Sequence, residues 1–292
     1  MSPTTLLYVL CLAATIIFNI AGNSLVCLLI LKKKAMTSSI NWLLFHLAIA
    51  DLLVAVFFIP PCILSHFIEQ PSGVIGNLLC KFIFGGSLGW GSTSASSFLL
   101  VVIAFERYNA TLHPFEKLGR SRSPWLLPFL WIVAILLIMP GLVVSAYDAD
   151  SQGCIQNYPD YATDLAYSLA WTFANNSVLP ICIMGYLYTR IILRLRSRVQ
   201  LSGFSANVTS QSRTKVTKML ISVFITFVLC WIPAAMLCML GPVIRGLHFG
   251  TIQLFTTASA LLNSTLNPLV YTLHSQQFRK NLASLVCCRK LK

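Results

Sequence analysis

Seven stretches of this chain are long and apolar enough to cross a lipid bilayer, and they constrain its fold more than any other feature. They fall at about 5–31, 40–67, 78–108, 124–146, 165–192, 216–240 and 250–273. A hydrocarbon core about 30 Å thick needs about 20 residues of helix, and inside it every backbone N–H and C=O has to be satisfied within the protein. The expected fold is therefore all-α: an integral membrane bundle of seven transmembrane helices, forming one domain over residues 1–292. Composition agrees. Only 10% of the residues are charged and 57% are hydrophobic, where a soluble domain carries about 25% charged residues.

An odd number of spans puts the chain ends on opposite sides, and Lys and Arg decide which is which. Of the 21 basic residues, all but Lys81 and Arg245 fall on one side. They include Lys32, Lys33 and Lys34 in the first connection, Lys117, Arg120 and Arg122 in the third, seven from Arg190 to Lys218 in the fifth, and Arg279, Lys280, Arg289, Lys290 and Lys292 in the tail. That side is expected to be cytoplasmic, with the N-terminus outside. The net charge of +13 is thereby explained by topology. Nucleic acid is excluded as a partner, because the basic residues flank apolar spans. The first stretch is too long for a signal-peptide core, lacks a basic leader and ends in a lysine triplet that acts as a stop-transfer signal. No folded ectodomain is expected before it.

Cys80 and Cys154 both fall on the outer, oxidising side and are expected to form a disulfide. The longest outer loop, 147–163, is rich in Asp, Gln, Asn and Tyr, whereas the inner connection 197–212 is polar and basic and is expected to be a loop. After the last span, Phe278, Leu282, Leu285 and Val286 recur at helical spacing. This predicts a short amphipathic helix at about 275–286, lying on the membrane surface. Cys287 and Cys288 follow, either palmitoylated or unmodified.

An ionisable residue at bilayer depth costs about 2.5–3.5 kcal/mol on insertion scales and marks function by default. Asp51 is the one acid well inside a span. Asn23, Ser96, Asn263, Ser264 and Asn267 lie at similar depth, and Asn263 and Asn267, four apart, share a helix face. Their oxygens suit a hard cation, Na⁺ being the abundant candidate; a purely structural hydrogen-bond cluster is the alternative. Arg107, between Glu106 and Tyr108 at the inner end of the third span, reads as a charge-paired switch or as a snorkelling anchor. Pro60, Pro140, Pro180, Pro233 and Pro268 lie inside spans, where each removes a helical hydrogen bond. Trp231 stands two residues before one of these hinges.

Gly22-Asn23, Leu47-Ala48-Ile49-Ala50-Asp51, Glu106-Arg107-Tyr108, Trp131, Pro180 with Tyr188, Cys230-Trp231-Ile232-Pro233 and Asn267-Pro268-Leu269-Val270-Tyr271 occur in order, one set per span. In this the chain resembles the rhodopsin-like (class A) G-protein-coupled receptors, over nearly its whole length, and among them the neuropeptide receptors. The resemblance implies a sodium pocket at Asp51, Ser96, Asn263 and Ser264. It implies that Arg107 meets a heterotrimeric G protein, that Tyr188 and Tyr271 swing inward on activation, and that Trp231 is a toggle beneath the ligand. Arrestin and a receptor kinase are the further partners expected.

The chain departs from that pattern in three places. Ser97 stands where the connector with Pro180 and Phe227 usually has a larger aliphatic residue. Arg213 stands where many relatives have an acid facing the helix-three arginine, which predicts a weakly locked inactive state. Cys80 lies about two residues further from Arg107 than usual, so the glycine-rich stretch 85–91 is expected to bulge and to leave room for ligand. No Asp lies between Lys81 and Ser97, which removes the usual amine anchor. Leu261 occupies the retinal-lysine position, so a Schiff base is excluded. Glu69, Asp148, Asp150, Asp160 and Asp164 form an acidic outer mouth that would attract a cation, here a short basic or amidated peptide. Lipids, indoles and nucleosides are the other ligand classes left open. A transporter or channel is the rival class, disfavoured because no internal repeat is found. No catalytic or metal-ligand spacing is present either, so no enzyme is expected.

Overall fold

The computed structural model describes residues 2–32, 39–112, 125–160, 163, 176–201, 208–240 and 249–286. Asp164, Cys287 and Cys288 lie outside these residues. Nine α-helices and one β-hairpin account for most of the described chain. The helices are α1 Pro3–Lys32, α2 Ser39–Cys62, α3 Gly73–Leu79, α4 Ser87–Leu112, α5 Leu126–Val144, α6 Leu179–Leu201, α7 Val208–Leu240, α8 Phe249–His274 and α9 Gln276–Val286. The hairpin strands are β1 Ser145–Asp148 and β2 Gly153–Gln156.

Each of the long helices is apolar on most sides, so burial rather than periodicity separates inside from outside. In α1 the buried residues Val9, Leu12, Ile16, Asn19, Asn23, Val26 and Ile30 step by three and four. Ile17 and Phe18, on the opposite face, remain 65% and 68% exposed. Large exposed apolar patches of this kind are not tolerated in water; they form the lipid-facing wall. The helices close into a ring. Helix α1 packs on α2 and α8, α8 on α7, and α7 on α6, while α4 runs through the middle against α2, α5 and α6.

Six segments among the described residues have the length and apolarity of a membrane span, and α8 is not one of them. Its hydropathy is lowered by Thr256, Thr257, Ser259, Asn263, Ser264, Thr265 and Asn267, all of which are buried. It still crosses the bundle from end to end, because those groups face neighbouring helices instead of lipid.

Three sequence expectations change. The 197–212 connection is not simply a loop: α6 continues to Leu201 and α7 already begins at Val208. Loss of hydropathy there marks helices leaving the bilayer, not ending. The extra residues after Cys80 are absorbed one turn earlier than expected, in a π-turn at Cys80–Phe84 that closes through Gly85 N–H to Cys80 O at 2.8 Å. Gly86, at φ +77, then lets the chain re-enter an α-helix. The glycines beyond it leave no room for ligand. A Cβ on Gly89 would meet the Phe58 ring at 2.8 Å, and one on Gly91 would meet Ile138 Cγ2 at 2.6 Å. They are sites of close helix packing.

The outer loop also folds. Strands β1 and β2 pair antiparallel, Ser145 opposite Gln156 and Asp148 opposite Gly153. The Asp148 carboxylate accepts from Ser151 N–H at 2.9 Å and Ser151 O–H at 2.7 Å, which closes the turn. At the other end of the molecule, Ser275 caps α9: its hydroxyl accepts from Phe278 N–H at 3.1 Å. Phe278 is buried edge-on against Tyr271, so the amphipathic spacing read from the sequence docks α9 onto α8.

Candidate functional site

Asp51 is fully buried in the middle of α2. One of its carboxylate oxygens accepts from Ser96 O–H of α4 at 2.7 Å, and the other from Asn267 Nδ2–H of α8 at 2.8 Å. Ser264 of α8 lies within hydrogen-bonding reach as well. One side chain thus ties three helices together. Hydrogen bonds to a charged group are worth about 1.5–3 kcal/mol each when both partners are withdrawn from water. Asn263 is 2% exposed, and its Oδ1, like that of Asn267, is buried without a hydrogen-bond partner among the described residues. Around Asp51 the structure gathers a carboxylate, two hydroxyls and the spare Asn267 amide oxygen, a hard-cation donor set.

The network reaches α1 through Asn23 and extends there to Asn19, which the sequence reading passed over. Asn23 Nδ2 donates to Asn19 O at 3.1 Å, to Asn19 Oδ1 at 3.1 Å and to Ser264 O at 3.2 Å. Asn19 is four residues before Asn23 on the same face. That spacing was the available signal, and it was missed because Asn19 belongs to none of the motifs.

From Asp51 the polar axis runs towards the basic end. Tyr271 is buried within electrostatic range of both Asp51 and Tyr188, and Tyr188 in turn is within range of Arg107. Glu106, Arg107 and Tyr108 sit half-buried near the end of α4. In the middle of the bundle Trp231 is 1% exposed and Phe227 fully buried, their rings 5.9 Å apart. Pro233 lies inside α7 and Pro268 inside α8. Pro180 stands on the first turn of α6, directly after a π-turn at residues 176–178. Three cross-helix contacts had no motif to announce them. Ser94 O–H donates to Asn176 Oδ1 at 2.8 Å, joining α4 to α6. Lys81 Nζ donates to Leu142 O and Val143 O at 3.0 and 2.9 Å, capping α5. Ser222 Oγ and His274 Nε2 lie 3.2 Å apart between α7 and α8.

At the opposite end Cys80 and Cys154 are bridged, Cα to Cα 5.4 Å, which pins β2 over the start of the central helix. Beneath the hairpin lies a cavity of about 320 Å³, whose walls include Phe84, Ile155, Gln156, Tyr158 and Gln253. Glu69 and Asp150 are exposed. Asp148 is engaged in its own turn, and Ser151 holds its carboxyl below the usual carboxylate range, first through the hydroxyl and then through the amide. Asp160 accepts from Thr163 N–H at 2.7 Å and Thr163 O–H at 3.1 Å. None of these acids lines the cavity.

The family model described as 7 transmembrane receptor (rhodopsin family) matches residues 22–271. That match opens on Gly22 and closes on Tyr271, so it takes in every motif of the polar axis. Among curated proteins, the chain is 27% identical over 309 residues to Neuropeptide FF receptor 1 of Rattus norvegicus, covering 96% of this chain and 70% of that receptor. It is 26% identical over 310 residues to the QRFP-like peptide receptor of Branchiostoma floridae, covering 98% and 78%. It is 27% identical over 280 residues to Somatostatin receptor type 1 of Rattus norvegicus, covering 92% and 68%. The chain is a multi-pass membrane receptor, not an enzyme, and belongs to the rhodopsin family of seven-transmembrane receptors.

Proposed function

We propose that this receptor is activated by a short basic or amidated peptide at its disulfide-bearing end and activates a heterotrimeric G protein at its basic end. The observation that carries the reading is the buried polar axis, in which Asp51 joins α2, α4 and α8 and stands in range of Tyr271, itself in range of Tyr188. Such a chain is costly in lipid, and it leads from the middle of the bundle towards Arg107. The peptide class is supported by the relatives, which are named as receptors for neuropeptides and somatostatin. The basic connections support a cytoplasmic position for that end, with the N-terminus outside the plasma membrane. Arrestin and a receptor kinase would meet the same inner face.

Agonist settles above Trp231, and α7 pivots about Pro233. Tyr188 and Tyr271 then repack, and Arg107 becomes available to the G protein. This is a population shift between two packings. Asp51, Ser96, Asn263, Ser264 and Asn267 would hold a sodium ion. Its charge would offset Asp51 and favour the closed packing.

The test is expression in cells with G-protein dissociation sensors and a panel of basic and amidated peptides, using Arg107→Ala as the control. A dose-dependent signal that disappears in Arg107→Ala supports the reading. Silence from surface-localised protein turns the search to lipids, indoles and nucleosides.

A further inference from the structure

Helix α3 has two unlike edges. The inner one is pinned to the hairpin. Asn77 Oδ1 accepts from Tyr147 N–H at 2.8 Å. Gly76 is buried so closely that a Cβ there would meet Tyr147 Cγ at 3.1 Å. Cys80, one turn on, is bonded to Cys154 of β2. Positions 76, 77 and 80 share that edge by helical spacing. On the opposite edge Val74, Ile75 and Leu78 are exposed, Val74 by 76%, and Phe82 of the following π-turn is exposed as well. The helix contains no acid or base, and the nearby Lys81 is turned away to the last carbonyls of α5.

This apolar edge stands at the rim of the hydrocarbon. Gly73–Leu112 is one apolar segment of 40 residues, where a bilayer core needs about 20. Helix α4 supplies the crossing by itself with 26 residues, so α3 is left at the level of the headgroups. In water its exposed edge would be an apolar patch of the kind that marks an interaction surface. The edge is also continuous with a surface already assigned to lipid. Lys81 ties the π-turn to the outer end of α5, where Met139 and Val143 are exposed parts of the lipid-facing wall.

We infer that α3 is a membrane-surface helix, with Val74, Ile75, Leu78 and Phe82 seated at the boundary of headgroups and acyl chains in the leaflet at the disulfide-bearing end. Through Asn77 and Cys80 this contact holds the hairpin at a fixed height over the bundle. A helix takes such a position when its apolar edge meets acyl chains and its polar edge is satisfied elsewhere, here by the hairpin. With no charge on the helix, the partner is zwitterionic lipid, and anionic headgroups add nothing.

The test measures depth, on the full-length receptor in phosphatidylcholine nanodiscs that hold one copy each. Ile75→Cys and Leu78→Cys carry an environment-sensitive fluorophore, with Leu136→Cys on the α5 wall and Asp150→Cys in the hairpin turn as references. The exposed Cys11 and Cys182, and Cys287 and Cys288 of the tail, are changed to Ala, and that background supplies the blank. The Ile75→Cys and Leu78→Cys labels are expected to be quenched by lipid carrying a nitroxide near the headgroup. Iodide should quench them several-fold less than the Asp150→Cys label, while the Leu136→Cys label should answer to a nitroxide deep in the acyl chain. Added phosphatidylglycerol should change none of this. Iodide quenching equal to that of Asp150→Cys overturns the inference and puts the edge in water. Shielding from both quenchers also overturns it, since another part of the chain then covers the edge. Lipid quenching that requires phosphatidylglycerol overturns the zwitterionic assignment. A second measurement avoids any pull of the label on the helix. In the unlabelled receptor, Val74→Ser, Ile75→Ser and Leu78→Ser together should raise deuterium exchange of the Tyr147 amide several-fold; unchanged exchange there overturns the claim that lipid holds the hairpin.

Discussion

Helices α4 and α5 lie against each other, yet they use opposite chemistry. The third span, which contains α4, has 67% of its most apolar window buried, against 17% for α5. Ser92, Thr93, Ser94, Ser96 and Ser97 of α4 are all buried, while Phe129, Ile132, Ile135 and Leu136 of α5 are exposed. In water the polar helix would face out. Here the solvent is hydrocarbon, so polar groups are satisfied by neighbouring helices and apolar ones by lipid. The difference teaches that, in this protein, polarity marks the inside and function, and exposed apolar surface marks only the wall.

The sharpest way to break that contrast is to enlarge the seam between the two helices. Gly91→Leu is expected to cost about 3 kcal/mol through overpacking, because Ile138 is β-branched and stiff at χ1. Thermal unfolding of the purified receptor should show this as a lowered midpoint, partly restored by adding Ile138→Ala. Next in size, Asp51→Leu should cost about 2 kcal/mol by stranding Ser96 and Asn267. Asp51→Asn should keep the fold but abolish any sodium dependence of agonist binding; sodium sensitivity that survives it counts against the ion site.

Two serines of α4 sharpen the comparison further. Ser94→Ala loses the bond to Asn176 and should cost about 1 kcal/mol. Ser97 Oγ is buried without a partner among the described residues, so Ser97→Ala should leave the midpoint unchanged or raise it by up to about 1 kcal/mol in stability. On the wall, Leu136→Ala in α5 should change stability by less than about 0.5 kcal/mol, measured in the same lipid. The smallest effect lies outside the bilayer. The Asp148 carboxyl is held below its ordinary range, so its contribution to the hairpin turn is present above the usual carboxylate pKa. It fades as pH falls through the lowered value. Exchange protection of the Ser151 amide should drop on acidification in the parent receptor and show no such step in Asp148→Asn.

Much of the site was legible in the sequence because lipid makes polar residues conspicuous. Asp51, Ser96, Ser264 and Asn267 stood out in apolar surroundings, and the structure brings these four together. The Cys80–Cys154 bridge followed from both residues lying on one side of the membrane. What escaped was whatever needed a partner from a distant segment. Asn19 is ordinary until Asn23 and Ser264 are placed beside it, and Lys81 looked like a stray charge until the end of α5 arrived. The hairpin was missed because its strands are four residues each and depend on the disulfide and the Asp148 turn for their register. The glycines of α4 were read as empty space, since a sequence shows the missing side chain but not the Phe58 and Ile138 that fill its place.

The sequence by itself determined the number of spans, their order and the side on which the basic residues lie, because hydrocarbon thickness and backbone hydrogen bonding leave one solution for such a pattern. Tertiary structure alone decided which polar atoms meet and which glycines are packing sites. Those are contacts between segments up to 250 residues apart, as in Thr15 and Thr265, and local pattern does not encode the distances that close them.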